Sequence, residues 1–173
     1  MTHHKHHARK DHHAHDEQAP APIAVITVSD TRTSADDTSG ATLRDKLQEA
    51  GFHVGDPVIV KDEPWQIRVA IEQALNGGAR AVILNGGTGL APRDGTPEVV
   101  EKMLDKPLPG FGELFRMLSF QEIGAAAMLS RAVAGTRGRA LLVSLPGSTA
   151  AVRLAAEKLL VPQLRHILGL LSG

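Results

Sequence analysis

From Ile23 onward the chain alternates short apolar runs with longer stretches of helical periodicity. Ile23-Ala24-Val25-Ile26-Thr27-Val28 is a mainly apolar run rich in β-branched residues, the pattern of a strand covered on both faces. Polar Ser29-Asp30-Thr31-Arg32 follows, and Asp36-Asp37-Thr38-Ser39-Gly40 reads as a helix-capping cluster. Leu43, Leu47 and Ala50 then share one helical face before Gly51 stops the helix. Val54 to Val60 predicts a second strand, and Trp65 to Asn76 a second helix with Ile67, Ile71, Ala74 and Leu75 on one stripe. Gly77-Gly78 ends that helix.

Ala79 to Leu84 predicts a third buried strand, running directly into Asn85-Gly86-Gly87-Thr88-Gly89. Thr96 to Leu104 is expected to be helical, with Pro97 accommodated in its first turn. Pro107 and Pro109 keep the next stretch extended, and Phe111 to Ile123 returns to helix. Ala140 to Leu145 is a late strand ending at Pro146-Gly147-Ser148. A long terminal helix carries Val152, Leu159, Leu160, Leu164, Ile167 and Leu171, with a bend expected at Pro162. This order of elements predicts an α/β fold with a mostly parallel, doubly wound sheet flanked by helices.

Composition narrows the chemistry. The chain has 173 residues with 19 basic and 19 acidic side chains, so one domain is expected and bulk nucleic-acid binding is disfavoured. The absence of cysteine excludes disulfides, thiolate metal sites and thiol nucleophiles. No stretch approaches the ~18 consecutive apolar residues of a membrane span, and a soluble cytoplasmic protein is the expectation. Seven of the nine histidines are His3, His4, His6, His7, His12, His13 and His15. Residues 1–22 therefore read as a disordered, histidine-rich tail closed by an Ala-Pro linker, ahead of a domain at 23–173. The tail suits borderline divalent metals bound through neutral imidazoles, and equally a solvated arm or a purification remnant.

In an open α/β sheet, ligands bind beyond the carboxyl ends of the strands. Four such loops here are polar or glycine-rich. Ser29-Asp30 follows the first strand, Lys61-Asp62-Glu63 the second, Gly86 to Asp94 the third, and Pro146-Gly147-Ser148 the last. Gly86, Gly87 and Gly89 allow backbone N–H groups to face an anion without side-chain obstruction. The loop is neither a Walker A motif nor a dinucleotide fingerprint. Asp62 and Asp94 supply the one or two carboxylates that Mg2+ needs beside phosphate oxygens and water. Asp30 and Asp37 suit either a site or a turn cap. Ser148 suits either a second anion or a plain N-cap. Pro109-Gly110-Phe111-Gly112-Glu113 and Ser130-Arg131 add further polar groups, and Arg93, Arg116 and Arg131 are candidate positive charges. Two anion cradles with a magnesium between them point to phosphoryl or nucleotidyl transfer.

Taken in order, these motifs resemble those of the molybdenum cofactor biosynthesis protein B family, related to the Mog protein and the gephyrin G domain. The resemblance rests on Thr27-Val28-Ser29-Asp30, Asp37-Thr38-Ser39-Gly40, Gly86-Gly87-Thr88-Gly89, Arg93-Asp94, Thr96-Pro97-Glu98, Pro109 to Glu113, Leu129-Ser130-Arg131 and Pro146 to Ser148. It implies a three-layer α/β/α sandwich that assembles as a homotrimer or hexamer. It also implies molybdopterin adenylyltransferase activity, with ATP and molybdopterin as substrates, and association with other molybdenum cofactor pathway proteins. Carried over, Asp62 and Asp94 are the catalytic and Mg2+-binding residues. Ser29, Asp30, Asp37, Gly86, Gly87, Thr88, Gly89, Glu113, Ser130, Pro146, Gly147 and Ser148 are the substrate-binding set. Asn85 departs from the family's usual threonine or serine but can still donate a hydrogen bond. Because some members lack the acidic pair and are inactive, an inactive molybdopterin-binding scaffold is the alternative. The apolar stripe of the last helix is expected mostly to pack on the sheet and lends assembly only weak support.

Overall fold

The computed structural model describes residues 22–173, and the histidine-rich tail with its proposed metal binding lies outside them. Strands β1 (Pro22–Val28), β2 (His53–Val54), β3 (Val58–Val60), β4 (Ala81–Asn85), β5 (Lys106–Pro107), β6 (Val133–Arg137) and β7 (Ala140–Leu145) form one sheet. Its order is β2-β1-β4-β7-β6-β5, with β3 also paired to β1. The pairs among β1, β2, β3, β4 and β7 are parallel, whereas β6 and β5 join antiparallel at one edge. The sheet is thus mostly parallel, as expected.

Helices α1 (Thr38–Glu49), α4 (Pro109–Ile123), α5 (Thr149–Ala155) and α6 (Val161–Leu170) cover one face, and α2 (Pro64–Asn76) with α3 (Thr96–Met103) covers the other. The result is a three-layer α/β/α sandwich with two cores. Ile23, Val25, Ile83 and Val143 meet Leu43, Leu47, Phe115 and Leu164 in one. Ile26, Val28, Leu84 and Leu142 meet Ile67, Ile71 and Val100 in the other. Successive strand residues point to opposite faces, so a strand feeding both cores must be apolar without alternation. That is why β1, β4 and β7 read as unbroken hydrophobic runs.

Four local features differ from the sequence reading, each for an identifiable reason. The first strand begins at Pro22, one residue inside the expected linker, and the Pro22 carbonyl accepts the Arg80 N–H at 2.8 Å. The expected strand 54–60 is split into β2 and β3, because Gly55-Asp56-Pro57 interrupts the ladder and proline has no N–H to give it. Strand β6 was not anticipated. It returns onto β7 through Gly138, whose φ of 55° closes the turn. The terminal helix carries a π-helical turn at Ala156–Leu160, where the Val161 N–H reaches back to Ala156. That extra residue lets the chain pass Pro162, so the expected irregularity falls just before the proline.

Chain order creates the crevice. From β1 the chain crosses by α1 to β2 and β3 on one side, then by α2 over the opposite face to β4 on the other. The carboxyl ends of β1 and β4 are therefore adjacent at a switch in winding direction, the place where such sheets bind ligands.

Candidate functional site

A hollow of about 330 Å3 lies at that switch, lined by Ser29, Arg32, Gly86, Gly87, Thr88, Gly89, Asp94 and Gly147, with Val28 and Thr31 completing it. Its floor depends on glycine. Gly86 has φ of 98° and Gly87 of 65°. A side chain at Gly86 would meet the Val28 carbonyl oxygen at 2.2 Å, and one at Gly87 would meet Thr96 Oγ1 at 2.2 Å and Asp62 Oδ2 at 2.5 Å. Among the described residues, the N–H groups of Gly87, Thr88 and Gly89 have no acceptor within the chain. Amides without partners at the mouth of a polar hollow are the donors an anion requires.

Asp62 lies beneath Gly87 and is only 6% exposed. Its Oδ1 accepts the Gly95 N–H at 3.3 Å, and its own N–H donates to Asp30 Oδ1 at 3.1 Å. Burial pushes the Asp62 carboxyl above the ordinary aspartate value. The Gly95 N–H opposes that shift, while the Asp94 and Asp30 charges reinforce it. Asp30 is held below its usual value, first by hydrogen bonding to Arg93 and then by the Asp62 N–H. Arg93 also bonds Glu63 Oε1 at 2.8 Å, tying the loops after β1, β3 and β4 together.

The buried Thr96 hydroxyl has no hydrogen-bond partner and sits against Gly87 beside Asp62. A buried carboxylate and an orphaned hydroxyl form a donor set of hard oxygens, which is what Mg2+ prefers. Among the described residues there is no cluster of three or more His, Cys, Asp or Glu side chains arranged around a metal. Mg2+ does not need one, because phosphate oxygens and water complete its shell.

Beneath the hollow, Asn85 is fully buried. It donates to Thr27 Oγ1 at 3.0 Å and to the Ile26 carbonyl at 3.3 Å, and accepts from Ser39 Oγ at 2.7 Å. Asparagine thus fulfils the donor role expected at this position. Asn85→Ala is expected to cost about 2–4 kcal/mol, because it strands buried polar partners and leaves a void. A chemical denaturation midpoint close to wild type would contradict this.

The sequence-derived residues divide into three groups. Ser29, Gly86, Gly87, Thr88, Gly89, Asp94 and Gly147 surround the hollow, with Asp62 and Asp30 directly behind it. Glu113 and Ser130 instead line an adjacent hollow of about 490 Å3, together with Arg116, Arg131, Glu98 and Glu101. Asp37 and Ser148 act as helix caps. Asp37 Oδ1 accepts the Gly40 N–H at 3.0 Å and its Oδ2 the Thr27 hydroxyl at 2.7 Å, while Ser148 Oγ accepts the Ala151 N–H at 3.1 Å. Pro146 is half-buried and precedes the lining residue Gly147.

The arginines are redistributed. Arg116 hydrogen-bonds the Ser130 and Ala132 carbonyls, and Arg131 those of Thr88, Gly89 and Asp94. Arg32, absent from the sequence-derived set, is the guanidinium that lines the glycine hollow. It bonds Ser39 Oγ at 2.6 Å and the Gly147 carbonyl at 2.9 Å. Its only sequence signal was its place in the loop after β1.

Residues 24–166 match the family model described as a probable molybdopterin binding domain. The molybdenum cofactor biosynthesis protein B of Halalkalibacterium halodurans is 48% identical over 158 residues, covering 89% of this chain and 93% of that protein. Its Escherichia coli counterpart is 47% identical over 146 residues, covering 84% and 86% respectively. Among solved structures, the tungsten cofactor synthesizing protein MoaB of Pyrococcus furiosus superposes with a TM-score of 0.82 at 34% identity, covering 90% of this chain and 99% of its own. A MogA structure gives 0.79 at 32% identity, covering 87% and 99%.

Proposed function

This chain belongs to the probable molybdopterin binding domain family and takes part in molybdenum cofactor biosynthesis, and on that premise we propose that it is a molybdopterin adenylyltransferase. The observation that carries the reading is the retained pair Asp62 and Asp94 beside the unpartnered amides of Gly87, Thr88 and Gly89. In the proposed reaction, an oxygen of the terminal phosphate of molybdopterin attacks the α-phosphorus of ATP. A new P–O bond forms, the bond between the α-phosphorus and its bridging oxygen breaks, and pyrophosphate leaves with the bond electrons.

The attacking phosphate is already ionised near neutral pH, so no strong base is required. Positioning and charge stabilisation must then supply the acceleration. The Gly87–Gly89 amides hold phosphate oxygens, and Arg32, which lines the same hollow, adds positive charge. Asp62 and Asp94 would hold Mg2+, which would supply neutralising charge to the polyphosphate. Asp30 fixes the Asp62 backbone, and Arg93 keeps the Asp30 carboxylate ionised. The neighbouring hollow with Glu113 and Ser130 supplies room and hydrogen-bonding groups for the remainder of a substrate. An ATP-consuming step of this kind belongs in the cytoplasm, and no helix among the described residues is long and apolar enough to cross a membrane.

The deciding experiment is a coupled pyrophosphate-release assay with molybdopterin, ATP and Mg2+. Turnover that requires all three supports the reading. Molybdopterin binding without pyrophosphate release would instead make the chain a scaffold that serves other proteins of the pathway.

Self-association as a trimer or hexamer is part of the same proposal, and the structure moves its support to a different helix. Val152, Leu160 and Leu164 of the terminal stripe are buried within the monomer. By contrast, Leu114, Met117, Phe120 and Ile123 of α4 are exposed, as are Met128 and Leu129 just beyond. An apolar surface of this kind marks an interface. Phe120→Asp is expected to shift the sedimentation profile toward monomer with the fold preserved. Unchanged assembly would place the interface elsewhere.

A further inference from the structure

Arg131 stands between the two hollows just ahead of β6, and protein oxygens engage four of the five N–H groups of its guanidinium. Nε donates to the Thr88 carbonyl at 3.0 Å, and Nη2 to the carbonyls of Gly89 at 2.8 Å and Asp94 at 3.1 Å. Nη1 pairs with the Glu98 carboxylate. Most of this guanidinium is therefore committed to holding the loop. It lines the larger hollow with one edge and grips the glycine loop with its planar fork.

In a trans peptide the C=O and the N–H of the same unit point in opposite directions. Drawing the carbonyls of Thr88, Gly89 and Asp94 toward Arg131 therefore sends the N–H groups of Gly89, Leu90 and Gly95 the other way. For Gly95 the consequence is visible, since its N–H meets Asp62 Oδ1 at 3.3 Å. For Gly89 the N–H belongs to a residue lining the phosphate hollow and has no acceptor within the described chain.

We propose that Arg131 is a positioning residue that gathers the Thr88, Gly89 and Asp94 carbonyls on one side, so that the Gly89 amide faces the phosphate hollow and the Gly95 amide faces Asp62. This deepens the adenylyltransferase reading and rests on it for the identity of the anion. The geometric claim is separable. A lysine would keep the charge but not the planar array of donors that serves several carbonyls at once, so Arg131→Lys distinguishes orientation from charge.

The test compares wild type, Arg131→Lys and Arg131→Ala in the full chain. Binding of inorganic pyrophosphate is measured by calorimetry, amide exchange at Gly89 and Gly95 by NMR, and kcat and KM for ATP in the coupled assay. With the fold intact, Arg131→Lys is expected to weaken pyrophosphate binding about tenfold or more, equivalent to at least 1.4 kcal/mol, and to speed exchange at Gly95. KM for ATP should rise along with the loss in kcat. Millimolar guanidinium should restore part of the affinity of Arg131→Ala.

Wild-type exchange and affinity in Arg131→Lys would overturn the proposal. If the wild type binds no pyrophosphate yet Arg131→Lys still speeds Gly95 exchange, the positioning role stands and the phosphate-transfer reading falls. Should Arg131→Lys fail to fold, Glu98→Gln removes only the outer tether. It is expected to shift Gly95 exchange in the same direction by a smaller factor, and no shift there would equally overturn the proposal.

Discussion

Asp62→Asn is expected to lower the rate of pyrophosphate release by about 10²–10³-fold, the scale seen when one preorganised electrostatic group is removed, while raising the melting temperature. The two effects have one cause. Burial and the neighbouring Asp94 and Asp30 charges push the Asp62 carboxyl up, so the folded state disfavours the ionised form that phosphate chemistry needs. The sign of the pH dependence follows by linkage. Between the ordinary aspartate value and the raised folded value the native state binds more protons than the unfolded state. The Asp62 contribution to stability therefore declines as pH climbs through that window. Asparagine removes this penalty at neutral pH yet keeps an oxygen to accept the Gly95 N–H.

Adding Mg2+ should stabilise the wild type, because a ligand that binds only the native state shifts the equilibrium toward it. The same addition should do little for Asp62→Asn. Melting curves with and without Mg2+, beside the release assay, check both halves. A variant that melts below wild type, or that turns over at the wild-type rate, would remove Asp62 from its assigned place.

Gly86→Ala is expected to be the most destabilising single-methyl change near the site, on the order of 3 kcal/mol or more, because a positive φ and a steric overlap each cost roughly 1–3 kcal/mol. The overlap partner is the Val28 carbonyl oxygen, 2.2 Å from the added carbon. Val28 ends a central strand, and Gly86 is itself held by its N–H to the Leu145 carbonyl at 3.0 Å. Gly147 packs from the other side, where a side chain would lie 3.0 Å from the Gly86 Cα. None of these three backbones can retreat without parting β1, β4 or β7.

Gly78→Ala is the matched control. Its φ is 92°, but the added carbon has nothing within 4 Å. It should report the cost of the backbone conformation alone, roughly 1 kcal/mol. Urea midpoints for the two variants measure the difference, and equal destabilisation would refute the overlap.

Much of this fold was legible in the order of residues, and the reason is physical. A strand sandwiched between two helical layers must be apolar on both faces, so Ile23–Val28, Ala79–Leu84 and Ala140–Leu145 announced themselves as buried strands, the second observed as Ala81–Asn85. The loops at their carboxyl ends were equally visible, because a backbone that turns with positive φ against close neighbours demands glycine, as Gly86 and Gly87 show. Weak local signals were read less well. β6 mixes small and polar residues, and its place is fixed only by pairing with β7.

What sequence alone determined is therefore the layered architecture, the family, and the acid and glycine residues gathered at one end of the sheet. What only tertiary structure decided is how those polar groups are shared between function and support. Asp37 and Ser148 proved to cap helices, Glu113 and Ser130 to occupy a second hollow, and Arg131 to bind carbonyls. Hydrophobic periodicity is a local property that survives in one dimension. The partner of a charge or a hydroxyl is set by contacts across the sheet, such as Arg93 with Asp30 or Arg131 with Gly89. No spacing along the chain encodes those distances.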